Sequence, residues 1–286
     1  MPAPRLVKTS VGEVPCRVVG EGPAVLAVHG LLVDSRLWDG VAAELAESAR
    51  LVLPDLPLGA HKTPVPDRTR LDPGRIATAL VEILDAHEID TAVLVGNDTG
   101  AGLAQVAAAA HPERFVGLVL TSGDAFKHFP PAILKPLQPL SHIPGLTRLL
   151  VAGFAKPRFL SQPGALNFLC RHPVDRALVA SWMAPALTNK EILDDMTAFF
   201  RRVRPTYTMA AAEKLRNYPH PAVIAWSKGD RLFPRRDAER LVETIPRARL
   251  KWIEDSLAFS PLDQPAQVAQ AIRGVLAEVA EDAVTR

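Results

Sequence analysis

Short apolar runs that alternate with helical segments constrain the fold of this chain more than any other feature. Four such runs precede residue 125, at residues 24–28, 50–54, 91–95 and 115–120. Segments at residues 74–87 and 101–110, which separate the later runs, have the spacing or composition of helices. Strands that are buried on both faces and alternate with helices form parallel sheets. The sequence therefore predicts an α/β fold with a mostly parallel central sheet flanked by helices.

The alternation stops between residues 125 and 215, which hold many prolines and no clear strand. Amphipathic helical stretches occur within this region, at residues 177–185 and 190–202. The alternation then resumes with strands at residues 221–226 and 248–253 and helices at 237–244 and 265–280. We therefore predict one α/β core, formed by residues 1–124 and 216–286, that is interrupted by a helical cap over residues 125–215.

Composition and charge exclude several classes of function. The 286 residues are 48% hydrophobic and 22% charged, and their net charge of +2 is spread along the chain, so we expect no nucleic-acid or membrane surface. Cys16 and Cys170 are far apart and show no metal spacing, which fits a reducing cytoplasm. The sequence contains no phosphate loop, dinucleotide fingerprint or metal cluster, so we expect no cofactor and no metal. The sequence leaves open whether the chain forms a homodimer.

A carboxylate between two glycines marks the turn between the third apolar run and the following helix. Residues 96–100 read GNDTG, and side chains at the two glycine positions would collide across so sharp a strand-to-helix turn. The turn exposes its central side chain at the carboxyl edge of the sheet, where α/β proteins bind ligands. The N-terminus of the helix stabilises a negative group there. Asp98 is therefore a candidate functional residue; the alternative is that it only caps the helix.

Two more markers stand at the ends of predicted strands. His29-Gly30 follows the first run, and Gly229-Asp230 follows a late one, within AWSKGDRLFP. Together with the GNDTG turn and the helical insertion, these markers, in this order over the whole chain, resemble the α/β-hydrolase fold family. An aspartate at the turn is similar to the branch that contains haloalkane dehalogenases and epoxide hydrolases.

The resemblance implies a role for each of these residues. In that branch the aspartate of the turn, here Asp98, attacks an alkyl carbon and forms an ester, which water cleaves with the help of a histidine held by a second acid. Asp230 stands where that acid is found; capping of its loop is the alternative. The backbone N–H groups of Leu31 and Thr99 stand where the oxyanion hole is found. We expect His29 to be a structural hydrogen-bonding residue rather than a base.

The histidine that completes this triad in the family is missing. It belongs in a segment of the type Ser-x-His-Phe after the last strand. Here residues 253–265 read IEDSLAFSPLDQP, with Ala258 in the histidine position. No histidine follows His220, so a shift of register does not supply one. Either the protein naturally lacks the base or a histidine was replaced in a variant, and the sequence does not separate these alternatives.

The groups that bind a leaving halide are also missing. Haloalkane dehalogenases usually place Asn after His-Gly and Trp after the nucleophile, whereas this chain has Leu31 and Thr99 at those positions. Neither side chain offers the N–H donor that a halide needs. We therefore discount dehalogenation, although the aspartate of the turn is present.

Three histidines are candidates for a substitute base. His61 follows a strand end on the side where the active site is expected, and His128 and His172 lie in the predicted cap, where they can face a pocket. For each of them, a solvated or structural histidine is the commoner alternative.

Asp124 brings a third carboxyl to the same edge of the sheet, because it follows the strand after the GNDTG turn. We expect Asp98, Asp124 and Asp230 to approach one apolar pocket. Like charges in a desolvated site raise at least one carboxyl pKa, which leaves a protonated acid near neutral pH. The alternative for Asp124 is a cap on the first helix of the insertion.

Three functional hypotheses follow. The first is an enzyme that acts on a small apolar substrate with Asp98 as nucleophile or acid–base group, in epoxide opening, lactone chemistry, elimination or cyclisation. The second is a protein that binds an apolar ligand without turnover, and the third is a His-to-Ala variant that traps the ester. The pocket is expected between core and cap, with candidate lining residues Trp38, Phe126, Phe129, Trp182, Met183, Phe199 and Tyr207.

Overall fold

The computed structural model describes residues 4–155 and 169–285, and an eight-stranded sheet forms its centre. The strands in chain order are β1 (Arg5–Thr9), β2 (Gly12–Val19), β3 (Ala24–Val28), β4 (Arg50–Pro54), β5 (Ala92–Asp98), β6 (Phe115–Gly123), β7 (Ala222–Ser227) and β8 (Ala248–Ile253). Their spatial order is β1-β2-β4-β3-β5-β6-β7-β8. The six strands from β4 to β8 in this order are parallel, while β1 and β2 form an antiparallel edge. The predicted mostly parallel sheet is confirmed.

The antiparallel edge is the part of the sheet that the sequence did not predict. Strands β1 and β2 bury only alternate residues, among them Val7, Val14 and Cys16. A strand with one solvated face shows a period of two rather than the continuous apolar run of a strand buried on both faces. Both strands therefore lack the feature by which the six parallel strands are recognised.

Helices cover the sheet and the region between β6 and β7. The described helices are α1 (Asp39–Leu45), α2 (Pro73–Ala86), α3 (Thr99–Ala110), α4 (Leu137–Leu140), α5 (Leu146–Ala155), α6 (Arg176–Thr188), α7 (Lys190–Arg202), α8 (Pro205–Leu215), α9 (Arg235–Thr244), α10 (Ser260–Asp263) and α11 (Pro265–Val284). Helices α2 and α3 pack on each other, and so do α1 and α11. In the described part of the chain, no helix combines the length and the apolar character that crossing a membrane requires.

Local sequence determines where the helices begin. The carboxylate of Asp72 accepts hydrogen bonds from the N–H groups of Gly74 and Arg75, at 2.8 and 3.1 Å, and Pro73 occupies the first position of α2. A capping carboxylate satisfies N–H groups that have no partner within the helix, and proline fits there because its own N–H is missing.

Helices α4–α8, here called the inserted helices, all lie between β6 and β7. They occupy the region that the sequence predicts to be a cap, of which residues 156–168 lie outside the described residues. The predicted helical stretches at residues 177–185 and 190–202 correspond to α6 and α7. The inserted helices bring their apolar faces over the carboxyl edge of the sheet, where they close the cavity described below.

A buried carboxylate joins helix α7 to the loop after β4. Asp195 is fully buried, and it accepts hydrogen bonds from the N–H of Val65 at 2.9 Å and from Nε of Arg68 at 2.8 Å, with Nε2 of His61 at 3.4 Å. Burial acts to raise the pKa of Asp195, but these partners hold it below its ordinary value. A buried charge with this many partners is costly to separate from them. Helix α7 is thereby fixed to the core.

Candidate active site

Asp98 lies on the predicted strand-to-helix turn, where β5 ends and α3 begins. Its backbone is in the left-handed region, with φ 55° and ψ −129°, a conformation that costs on the order of 1–3 kcal/mol for a non-glycine residue. A Cβ atom at Gly96 would lie 2.4 Å from the carbonyl oxygen of Gly100, and one at Gly100 would lie 2.2 Å from that of Val28. The two glycines are therefore required by the close approach of the backbone, as predicted.

The two backbone donors predicted from the resemblance both face Asp98 itself. The N–H of Leu31 donates to Oδ2 of Asp98 at 3.2 Å, and the N–H of Thr99 also bonds this carboxyl. A Cβ atom at Gly30 would lie 2.0 Å from the same Oδ2 atom. Glycine at position 30 thus leaves the space in which the carboxyl reaches its donors. Oδ2 is held by the N–H of Leu31.

The Asp98 carboxyl has an unusual affinity for its proton. Burial raises the pKa of Asp98 to about 7, against the opposing effect of the hydrogen bonds from Thr99 and Leu31. The negative charge of Asp230 raises it further. Near neutral pH the carboxyl therefore exists in both protonation states, which suits a group that gives and takes protons or attacks as a carboxylate.

Asp230 and Asp124 complete a group of three carboxyls. After β7, Oδ1 of Asp230 accepts the N–H groups of Leu232 and Phe233 at 2.7 and 2.9 Å, and a hydrogen bond from the side chain of Ser122 also acts to lower the pKa of this carboxyl. Burial raises the pKa of Asp230. Asp124, after β6, is 1% exposed; burial and then the charge of Asp98 raise its pKa well above the ordinary value. Each of these two carboxyls interacts electrostatically with Asp98, but neither is among the described residues that line the cavity, so the expectation that all three approach one pocket is corrected.

The position that lacks a histidine is closed. Ala258 is fully buried and is not among the described residues that line the cavity. The amide nitrogen of Asn97 lies 2.8 Å from the carbonyl oxygen of Ala258, 2.8 Å from Oγ1 of Thr121 and 3.1 Å from the carbonyl oxygen of Ser122. Asn97 therefore ties the loop of Ala258 to the turn of Asp98. Sequence reasoning overlooked Asn97, although an amide at the end of an apolar strand is a usable signal.

His29 is a structural residue, as expected. Its Nε2 accepts the N–H of Leu56 at 2.9 Å, so its Nδ1 carries the proton and donates to the carbonyl oxygen of Gly30 at 2.8 Å. Burial lowers the pKa of His29, which favours the neutral ring. Both ring nitrogens are occupied, and the ring holds the backbone that carries the Leu31 donor.

The structure does not bring the three candidate bases to Asp98. His61 contacts Asp195, His128 forms an ion pair with Asp237 of α9, and the half-exposed His172 pairs with Asp255 at 2.9 Å. None of the three is among the described residues that line the cavity. The expectation of a substitute histidine is therefore corrected: each of these rings is engaged by a carboxylate elsewhere.

An apolar cavity of about 300 Å³ lies above Asp98, between the carboxyl edge of the sheet and the inserted helices. Asp98 is the one ionisable side chain among the described lining residues, which are Leu31, Leu32, Val33, Asp98, Thr99, Ile133, Leu134, Leu137, Ser141, Thr147, Leu150, Val151, Leu169, Val179, Trp182, Met183, Met196, Phe200, Leu232 and Phe259. The predicted lining residues Trp182 and Met183 are confirmed. The others form core contacts instead, namely Trp38, Phe126, Phe129, Phe199 and Tyr207.

Comparison with known proteins gives the family. Residues 23–265 match the α/β hydrolase fold family, and the chain belongs to it. It is 29% identical over 276 residues to a 2-hydroxymuconate semialdehyde hydrolase of Pseudomonas sp. (strain CF600), covering 93% of this chain and 91% of that one. It is 28% identical over 241 residues to a 2-hydroxy-6-oxo-6-phenylhexa-2,4-dienoate hydrolase of Burkholderia cepacia, covering 81% and 79%. These relatives indicate that the chain is a hydrolase-fold enzyme.

Two further likenesses concern the branch of the family that was predicted. An epoxide hydrolase of Caballeronia sordidicola is 36% identical over 97 residues, which cover 34% of this chain and 30% of that one. Among solved structures, a putative ancestral haloalkane dehalogenase superposes with a TM-score of 0.78 at 19% identity, covering 98% of this chain and 100% of that one. At this identity the structural likeness supports the fold alone.

Proposed function

We propose that this chain is an α/β-hydrolase-fold enzyme that opens a small apolar epoxide, with Asp98 as the nucleophile. The observation that carries the proposal is the placement of Asp98: one carboxyl oxygen is held by backbone N–H, and the side chain lines an apolar cavity in which no other ionisable described residue takes part. A carboxylate desolvated in this way is a stronger nucleophile than one in water.

In the first step the carboxylate of Asp98 attacks an epoxide carbon. A bond forms between Oδ1 and that carbon, the ring C–O bond breaks, and the ring oxygen takes a proton from water. Oδ2 becomes the carbonyl oxygen of the ester and keeps its hydrogen bond from the N–H of Leu31. The apolar cavity favours this step because water competes poorly there for the nucleophile.

In the second step water cleaves the ester. The water attacks the acyl carbon, its proton passes to the carboxylate of Asp230, and the N–H of Leu31 stabilises the charge that develops on Oδ2 of Asp98. Collapse breaks the bond between the acyl carbon and the alkyl oxygen, that oxygen takes the proton of the hydroxyl added by water, and the diol leaves with the Asp98 carboxylate restored. The proton on Asp230 then neutralises the hydroxide left by the first step. A carboxylate is a weaker base than histidine, so this step is slow and the ester accumulates.

The choice of an epoxide over the other named substrates rests on charge. The relative from Burkholderia cepacia is named for a dienoate, which is an anion, whereas the cavity of this chain already contains a carboxylate. An epoxide is neutral, reacts at carbon, and is the substrate for which the relative from Caballeronia sordidicola is named.

Intact-protein mass spectrometry with styrene oxide tests the proposal. We expect the protein to gain the mass of the epoxide on the peptide that contains Asp98, and slow formation of the diol. Asp98→Asn should abolish both, and Asp230→Asn should keep the adduct but lose the diol. Full diol formation by Asp98→Asn would show that Asp98 is not the nucleophile.

A second candidate function is the binding of an apolar ligand without turnover. Ala258 favours it, since this buried methyl group supplies no base and is not among the described residues that line the cavity. This alternative predicts no adduct with any epoxide and an affinity for apolar ligands that survives Asp98→Asn. The same two measurements therefore separate the candidates.

A further inference from the structure

The cavity offers a bound molecule almost no polar surface. Sixteen of its twenty described lining residues are apolar, and the remaining four are Asp98, Thr99, Ser141 and Thr147. None of the described lining residues is Lys, Arg or His. A volume of about 300 Å³ holds about ten non-hydrogen atoms, since a water-sized group occupies roughly 30 Å³.

The groups that bind anions in such a site are already engaged. Backbone N–H groups at a helix N-terminus ordinarily receive the oxygen of an anionic ligand. Here the N–H of Leu31 donates to Oδ2 of Asp98, and the N–H of Thr99 bonds the same carboxyl. An incoming carboxylate therefore finds the protein's own carboxylate in the place where it would bind.

No cation among the described lining residues compensates the charge of an anion that enters the cavity. The carboxylate of Asp98, once ionised, repels such an anion instead. A buried charge without a partner of opposite sign is strongly disfavoured.

We propose, taking the cavity as the substrate site of the proposed function, that it selects uncharged, mostly hydrocarbon molecules of about ten non-hydrogen atoms with one polar group directed at Asp98, and rejects carboxylates of the same shape. The selection arises in the ground state, from the apolar lining and the occupied N–H donors. It therefore holds whether or not the bound molecule reacts.

Isothermal titration calorimetry with a matched pair of probes tests the inference. 4-Phenylbutan-2-one and 3-phenylpropanoate have the same number of non-hydrogen atoms and differ in replacing a methyl group by a charged oxygen. At pH 8 we expect the ketone to bind at least about a hundredfold more tightly than the carboxylate. Asp98→Asn, which removes the resident charge, should narrow this ratio.

A gain-of-binding variant makes the test independent of the catalytic carboxyl. Ile133 lines the cavity and is 61% exposed, so a long polar side chain is tolerated there. Ile133→Arg should raise the affinity for 3-phenylpropanoate about tenfold by supplying a cation, while the uncharged control Ile133→Gln should not.

The outcomes separate this inference from the proposed function. Equal binding of the two probes by the natural chain, or binding of neither, overturns the inference and leaves an Asp98 adduct as sound evidence for epoxide opening. If the ketone binds selectively but styrene oxide forms no adduct, the selection of uncharged ligands is supported and the proposed epoxide opening is overturned.

Discussion

Replacing Asp98 by asparagine should make the protein more stable, and by an amount that depends on pH. The carboxyl has a pKa of about 7 in the folded protein, raised mainly by burial, against an ordinary value of 3.8. Between these two values the unfolded chain is ionised at this site while the folded chain holds the proton. The folded state therefore loses stability as pH rises from about 4 to about 7, and an uncharged amide escapes this loss.

The magnitude follows from the shift in pKa. A rise of about three pKa units lowers the free energy of unfolding by about 4 kcal/mol once Asp98 is fully ionised in the folded state. At pH 5 the carboxyl is still protonated in the folded state, and its raised pKa lowers the stability of the fold by about 2 kcal/mol. Below about pH 4 the carboxyl is protonated in both states, and this loss of stability nearly vanishes.

Urea unfolding followed by circular dichroism at pH 5 and at pH 8.5 measures the effect. We expect the free energy of unfolding of Asp98→Asn to exceed that of the unsubstituted chain by about 3 kcal/mol more at pH 8.5 than at pH 5. Asp90→Asn is the control, because Asp90 is exposed and the two unfolding curves should then stay parallel. A stability gain that is the same at both pH values, or a loss at pH 8.5, would refute the assignment of a buried, proton-retaining carboxyl.

Four further predictions test other parts of the site. In steady-state kinetics with styrene oxide, kcat/KM should rise with pH through about 7, because only the ionised Asp98 attacks; a rate that is flat between pH 6 and pH 8 speaks against it. Ala258→His should not restore fast diol formation and should cost about 1–3 kcal/mol in thermal unfolding, because the position is fully buried; fast turnover would instead mark the chain as a His-to-Ala variant. Gly30→Ala should abolish adduct formation while far-UV circular dichroism stays unchanged, since its Cβ would lie 2.0 Å from Oδ2 of Asp98. Asp195→Ala should destabilise the protein by about 3 kcal/mol, as it strips three partners from a buried site, and chemical denaturation checks this.

The parallel part of the sheet was predictable because burial on both faces leaves a continuous apolar run. The turn of Asp98 was predictable for a different reason: its two glycines stand where the backbone passes within about van der Waals distance of itself. The edge strands β1 and β2 were not predicted, because alternate burial over five and eight residues resembles the composition of an ordinary loop.

The site was only partly predictable. The backbone donors at Leu31 and Thr99 follow from the position of the strand ends, but their bonding to the Asp98 carboxyl depends on tertiary distances. The spacing of aromatic residues predicted that both Trp182 and Trp38 line the cavity, but only Trp182 does. Helical spacing identifies a buried face; it does not show whether that face borders a cavity. The ion pair between His128 and Asp237 joins residues more than a hundred positions apart, so no local sequence pattern predicts it.

The buried carboxylate of Asp195 bears on how a ligand reaches the cavity. Moving α7 away from the loop after β4 would separate that carboxylate from its partners, so we expect the wall that carries Met196 to move little when a ligand enters. Helix α4, whose Leu137 also lines the cavity, is joined to the end of α7 by uncharged groups: the amide of Gln138 donates to the carbonyl oxygens of Phe200 and Val203 at 2.7 and 2.9 Å. Water can replace such bonds. We therefore expect α4, rather than α7, to move when a ligand enters or leaves.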